Sequence, residues 1–265
     1  MADKKACLIS IVGTGRVAWN LGRALTAKGY AIQEVSGRNS ENIRLLAAKL
    51  NARAVDKPSK LNPLCDLFIL AVNDDAIEDV SAKLPENKGV VVHTSGMKPL
   101  SCLKGKFAHA GVFYPLQTFS FDRQADFENI PILLQAGNRD NLLFLENIAG
   151  SLSRNLVHTN DTQRQSIHLA AVFVNNFTNA LYGIADDILK DKELSIKILY
   201  PLILETANKI LDHSPLEAQT GPARRKDIGT IETHLKLLAG SEEKSNIYKL
   251  FTDYILNKYH PENNG

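Results

Sequence analysis

The chain is short of the residues that build cross-linked, metal-holding or membrane-spanning proteins. Its 265 residues include only three cysteines, two methionines and one tryptophan. Cys7, Cys65 and Cys102 are widely spaced and odd in number, which supports neither a disulfide framework nor a metal cluster. They read as plain thiols of a reducing compartment. An excess of one charge is also missing. The 31 Lys and Arg against 29 Asp and Glu leave a net charge of +2, so nothing electrostatic calls for nucleic acid or an anionic membrane as partner. Long hydrophobic runs are absent as well. Met1-Ala2-Asp3-Lys4-Lys5 leads only into a short apolar run broken by glycines, which reads as neither a signal peptide nor a membrane span, and a cytoplasmic protein is expected. What is present, 44% hydrophobic and 23% charged residues, suits a soluble globular protein long enough for two modest domains.

The first part of the chain alternates strand and helix signals. Ala6 to Val12, Ala31 to Ser36, Asp66 to Val72, Gly89 to His93, Val112 to Tyr114, Ile130 to Gln135 and Leu156 to His158 read as strands. Asp66 to Val72 is nearly continuously apolar, as expected where both faces of a parallel sheet are covered. Between them, Asn42 to Leu50, Asp75 to Leu84 and Asn141 to Ser153 read as helices. From Asp161 onward no convincing strand remains. Asp161-Thr162 is a candidate cap for a helix to about Leu189, followed by Glu193 to Leu211, bent at Pro201, then Ile228 to Ala239 and a last helix capped by Ser241. The expected fold is α/β, a doubly wound, mostly parallel sheet over residues 1–159, followed by an all-helical domain over 160–265 for substrate and dimerisation.

Glycines sit where the first strand meets the first helix, in Gly13-Thr14-Gly15-Arg16-Val17-Ala18. Strand, glycine turn and helix is the context in which this spacing points to a dinucleotide. Gly13 serves the tight turn, Gly15 admits a pyrophosphate to the backbone, and Ala18 lets the helix pack closely. The helix start offers free N–H groups and the positive dipole end. After the second strand, Ser36, Arg38 and Asn39 stand where an NAD site usually carries a carboxylate. A guanidinium there matches a phosphate, so NADP is favoured over NAD. Glu34 is the competing ribose acid if the strand ends earlier. Val72 and Asn73, then Thr94, Ser95 and Gly96, occupy two further strand ends beside the same groove. His93 reads as a buried structural histidine.

In the helical part, His168, Asn175, Asn179 and Tyr182 fall near one line at about 100° per residue. Apolar neighbours suggest a largely buried helix, whose polar stripe then needs partners, at about 1–3 kcal/mol for each group left without one. The stripe is either a structural network or the wall of a substrate cavity. In the second case His168 exchanges a proton, while Asn175 and Asn179 contact substrate. Arg224, in Gly221-Pro222-Ala223-Arg224-Arg225-Lys226-Asp227, is a candidate clamp for a substrate anion, and Asp227, Thr230 and His234 can share a helix face.

Taken together, Gly13 to Ala18, Ala71 to Ile77, His93 to Gly96, Tyr114 to Phe119, His168 to Phe173, Asn175-Asn176 and Gly221 to Asp227 resemble a bacterial family of Rossmann-like proteins with a helical C-terminal domain of unknown function. Members are often labelled NADP oxidoreductases. More distantly, the layout is similar to the 6-phosphogluconate dehydrogenase and pyrroline-5-carboxylate reductase superfamily. The resemblance implies substrate between the nucleotide domain and the first long C-terminal helix, and a homodimer through the helices. It also marks two departures. His168 and Asn175 stand in place of the lysine and asparagine pair of the hydroxyacid dehydrogenases, and Tyr114 stands where the close family leads one to expect histidine. The implied function is NADP-dependent hydride transfer to or from a small carbonyl, hydroxyl or imine compound. Tyr114, His168 and Asn175 would be catalytic and no metal is required. The rival is a module that senses NADP(H) without turnover.

Overall fold

The computed structural model describes residues 7–103 and 105–261. Ala6, read above as the start of the first strand, and the five residues before it lie outside the described residues. Eight strands form one sheet: β1 Leu8–Val12, β2 Ala31–Ser36, β3 Arg53–Val55, β4 Leu67–Leu70, β5 Val90–His93, β6 Ala110–Pro115, β7 Ile132–Ala136 and β8 Leu156–His158. Their order is β3-β2-β1-β4-β5-β6-β7-β8. All neighbours run parallel except β6 and β7. The sheet is therefore doubly wound, with its direction of growth reversing at β1 and opening a crevice beyond the carboxyl ends of β1 and β4. The helices are α1 Arg16–Ala27, α2 Ser40–Leu50, α3 Ile77–Ser81, α4 Arg139–Leu152, α5 Asp161–Ala171, α6 Thr178–Lys190, α7 Tyr200–Asp212, α8 Pro215–Ala218, α9 Pro222–Arg225, α10 Ile228–Leu237 and α11 Glu242–Tyr259.

Strand alternation divides the core into two layers. Ile9, Ile11, Leu67, Ile69 and Val92 face Leu21, Leu25, Leu46, Leu145 and Ile148 of α1, α2 and α4. Val12, Phe68, Leu70 and Val91 face Ile77, Leu100 and Leu103. Gly22 lets α1 lie close to the sheet, since a Cβ there would come within 2.7 Å of Leu50 Cδ1 and 3.1 Å of Ile11 Cδ1.

Several local expectations are corrected. Strand β3 has no signal of its own beyond Ala54 and Val55, and it exists because β2 offers it an edge. The helix expected over Asp75 to Leu84 begins as a 3₁₀ turn, Asp74–Ala76, and Asn73 makes no side-chain cap. Asn160, not Asp161 or Thr162, caps α5, in a capping box closed by Gln163. Pro201 does not bend a helix. It stands in the first turn of α7, where its missing N–H costs nothing.

The chain separates into two compact units, up to Asn176 and from Phe177 onward. The sheet ends at His158, and α5 goes with the sheet. Beyond Phe177 the described residues contain no strand. The stretch from Asp161 to Lys190 is not one uniform α-helix. Val172–Phe177 is π-helical, so the even 100° step that lined up His168 with Asn175 does not hold there. Nor is that stretch largely buried. Leu169, Phe173 and Val174 are exposed, and Arg164 is the buried residue of α5.

Candidate functional site

The site begins with Gly13. Its φ of +123° favours glycine, and a Cβ there would stand 2.0 Å from the Ala71 carbonyl oxygen. Its amide donates to the Ser36 carbonyl at 2.8 Å. Gly13 thus fastens together the ends of β1, β2 and β4. Gly15 differs. Its φ is −80°, which any residue tolerates, and a Cβ there would meet nothing within 4 Å. The fold does not need a glycine at that point; the open space in front of it does. Helix α1 starts here with no side-chain cap and no acidic residue in its first turn, unlike α2 and α4, which Asn39 and Asn138 cap. A glycine facing open space, before an uncapped helix start, fits the diphosphate of a dinucleotide.

A cleft of about 560 Å³ opens there. Gly15, Arg16 and Val17 line it, with Ala71, Val72, Asn73 and Asp74 after β4. Thr94, Ser95 and Gly96 after β5, with Tyr114 and His168, complete it. Ten of the residues singled out from the sequence therefore line one cavity, joined by Ala71 and Asp74. Thr14, Ser36, Arg38 and Asn39 stand beside it at the end of β2. Thr14 packs on Gly37, whose Cβ would be 3.2 Å from Thr14 Cγ2. Ser36 is buried with its hydroxyl unpartnered. Asn39 caps α2, accepting from the Asn42 amide at 2.9 Å. The exposed Arg38 forms no ion pair among the described residues. Glu34 is excluded as a ribose acid. It is 1% exposed, and its carboxylate accepts from Arg53, from the Asn62 amide at 2.7 Å and from Ser10 Oγ at 3.3 Å.

The far wall holds the chemistry. Tyr114 Oη and His168 Nδ1 are 2.9 Å apart, joining β6 to α5. Burial, helped by the Asp74 carboxylate, raises the Tyr114 pKa, so the phenol keeps its proton, and the His168 tautomer sets which of the two atoms donates. The His168 ring lies flat against the chain at Gly96, where a Cβ would come within 2.5 Å of Nδ1. Ser95 Oγ accepts from the amides of Met97 and Lys98 at 3.0 and 2.9 Å, shaping that turn. His93, fully buried, accepts from the Ser95 amide through Nδ1 at 3.2 Å. Burial, aided by the nearby Arg164 cation, lowers its pKa to about 4, so it is neutral and structural.

Sequence reasoning missed Arg164. It is 0% exposed and ties α5 to the sheet, donating to Asp161 at 2.8 Å, to the Gln135 side chain and to the Lys98 carbonyl. Its one sequence signal was an arginine one turn after Asp161. Asn175 is exposed, within the π-helical turn, and is not part of the cleft wall. Asn179 and Arg224 belong to the second unit. There Asn179 is exposed, and the Arg224 guanidinium lies 4.3 Å from the centre of the Tyr259 ring. Asp227 caps α10 through the Thr230 amide and hydroxyl, and His234 Nδ1 meets Tyr248 Oη at 2.8 Å, so these groups serve their own unit. Among the described residues no group of three or more His, Cys, Asp or Glu could hold a metal, and no helix is long and apolar enough to cross a membrane.

Comparison with known proteins agrees with this geometry. Residues 8–95 match the family "NADP oxidoreductase coenzyme F420-dependent", and residues 130–255 match a domain of unknown function, DUF2520. A crystal structure titled "putative NADP oxidoreductase BF3122" from Bacteroides fragilis is 37% identical, covers 95% of this chain and 98% of its own, and superposes with a TM-score of 0.88. A pyrroline-5-carboxylate reductase from Coxiella burnetii is 17% identical over 96% of this chain and 98% of its own, with a TM-score of 0.58. An imine reductase from Myxococcus stipitatus, in complex with NADP+, is 14% identical over 94% and 92%, with a TM-score of 0.63. The latter two speak to fold alone. No curated protein matches the chain. The chain belongs to the family of the Bacteroides fragilis protein, Rossmann-fold NADP oxidoreductase-like proteins with a C-terminal DUF2520 domain, whose match here takes in the last two strands and the helices after them.

Proposed function

We propose that the protein binds NADP(H) in the cleft and catalyses hydride transfer to or from a small carbonyl, hydroxyl or imine compound. The observation that carries this reading is the Tyr114–His168 hydrogen bond, on the wall of the cleft that opens at Gly15 and the uncapped start of α1. When bound, the nicotinamide supplies or accepts the hydride. The chain's own residues do the rest. Gly15 and the first amides of α1 take the diphosphate. Arg38, beside Ser36 and Asn39, takes the 2′-phosphate, since Glu34 is sealed away inside the fold. Tyr114 gives a proton to the substrate heteroatom, or takes one from it, and His168 Nδ1 exchanges that proton with the phenol.

Asn175 keeps the catalytic role, and Asn179 and Arg224 the substrate-contact roles, expected from the sequence. The helical domain makes a homodimer, and the protein works in the cytoplasm. Calorimetric titration with NADPH and NADH tests the coenzyme assignment. Tighter binding of NADPH, lost in Arg38→Ala, is expected; equal affinity or no binding overturns it. Turnover is tested on a panel of ketones, alcohols and cyclic imines followed by nicotinamide absorbance. Tyr114→Phe and His168→Ala should each lower kcat about 10²–10⁴-fold with little change in coenzyme affinity.

A further inference from the structure

We propose that the substrate carries a positive charge at its reacting nitrogen, an iminium in one direction and an ammonium in the other, and that Asp74 is the residue that selects it. This rests on the oxidoreductase reading above and narrows its substrate class. Asp74 opens the short turn after β4 and lines the cleft together with Tyr114 and His168. Its carboxylate makes no ion pair or hydrogen bond among the described residues. Arg16 also lines the cleft, and its side chain makes no ion pair with Asp74 among the described residues. It is also drawn toward the 120–123 segment, with its guanidinium 5.6 Å from the centre of the Phe121 ring. Tyr114 keeps its proton and so adds no charge of its own. The wall facing substrate therefore presents a carboxylate without an ion-pair partner beside the neutral Tyr114 phenol and the His168 imidazole.

In a partly enclosed cleft a single carboxylate attracts a cation and repels an anion much more strongly than in water. A 2-hydroxy or 2-oxo acid would place its own carboxylate against Asp74. A protonated imine meets an opposite charge there. Its chemistry also suits the wall. Reduction of an iminium adds one hydride to carbon while the C=N pair moves to nitrogen, giving a neutral amine and an oxidised dinucleotide, with no proton withdrawn from the protein. A neutral imine instead takes one proton from the Tyr114 phenol, which His168 restores. For the reverse direction, an ammonium held by Asp74 gives its proton to the same pair before hydride leaves carbon.

Calorimetry on the full chain saturated with NADP+ tests this with three probes of one shape: cyclohexylammonium, cyclohexanol and cyclohexanecarboxylate. Cyclohexylammonium should bind at least tenfold more tightly than cyclohexanol, and the carboxylate should bind most weakly. Asp74→Asn should erase the ammonium preference without weakening NADP+ binding, whereas Asp75→Asn, on the exposed neighbour, should keep it. Asp74→Ser serves as a second variant, and if neither variant folds, the order of the three probes on the natural chain decides. The inference is overturned if the alcohol or the carboxylate binds as tightly as the ammonium, if none of the three binds, or if Asp74→Asn retains the preference. A chain that takes up NADP+ but shows no such preference loses only this inference. A chain that takes up neither NADP+ nor NADPH loses the oxidoreductase reading as well.

Discussion

Two glycines two residues apart do different jobs, and substitution separates them. Gly13→Ala must fit a Cβ 2.0 Å from a carbonyl oxygen at a φ of +123°, so it should destabilise the fold by at least about 2 kcal/mol, measured by urea unfolding. Gly15→Ala meets no atom of the chain and should leave stability within about 0.5 kcal/mol while weakening NADPH binding at least tenfold by calorimetry. A normal unfolding curve with normal binding for Gly15→Ala would remove the diphosphate assignment. His93 makes a pH prediction. Its folded pKa is about 4 against 6.5 for a free histidine, so the unfolded chain takes up this proton first as pH falls. Its stability contribution is whole above pH 6.5 and is lost progressively down to about pH 4, amounting to about 3 kcal/mol in all. Urea midpoints across that range should fall less steeply in His93→Gln. The spacing of Gly13 and Gly15 was legible because a turn is local. Their difference was not, because it depends on Ala71, which reaches the turn only through the pairing of β1 with β4.

At the scale of elements, one helix residue holds a whole loop. Asn20, 3% exposed on α1, donates to the carbonyls of Arg16 and Ser120, at 2.9 and 2.8 Å, and accepts from the Ala125 amide at 3.4 Å. Trp19 meets the Phe121 ring edge-on, with centroids 5.9 Å apart, and Arg23 donates to Gln124 at 2.8 Å. The 117–126 loop is thereby strapped over α1 next to the cleft at Gly15. Asn20→Ala should cost about 1–3 kcal/mol and expose the bond after Arg123 to trypsin. An unchanged digestion rate would mean that Asn20 does not hold the loop. Nothing in the sequence marked Asn20, since its partners in the loop lie 100 and 105 residues away. The caps were half legible. Asp227 and Ser241 cap where their sequence context says they should. At α5 the choice among Asn160, Asp161 and Thr162 fell to Asn160, because Asp161 is held by the Leu100 amide and Arg164. Asn160→Ala should therefore lower stability by about 1 kcal/mol.

Across the whole molecule, apolar surface is unevenly covered. The unit that contains the sheet has two packed layers. From Phe177 onward, Leu202, Leu204, Leu211, Leu237 and Leu250 are each more than 60% exposed, and Ala223 and Ile231 are the buried apolar residues. A unit this open does not bury enough to offset the entropy of ordering its chain, and monomeric proteins seldom present so much apolar surface. A second copy of the chain is the occupant proposed for it. Light scattering should give twice the mass of one chain, and a monomer at micromolar concentration would refute it. By itself the sequence determined the doubly wound sheet, the helical part that follows and the glycine turn, because strand periodicity, breakers and caps act over a few residues. It also brought Tyr114 and His168 into view, but not as a pair. Residues 54 apart in the chain became hydrogen-bonded only through the neighbouring places of β5 and β6 in the sheet and the anchoring of α5 by Arg164. Tertiary structure alone decided that Glu34 is spent inside the fold and that Asp74 faces the cleft, because burial and charge depend on neighbours that local periodicity does not choose.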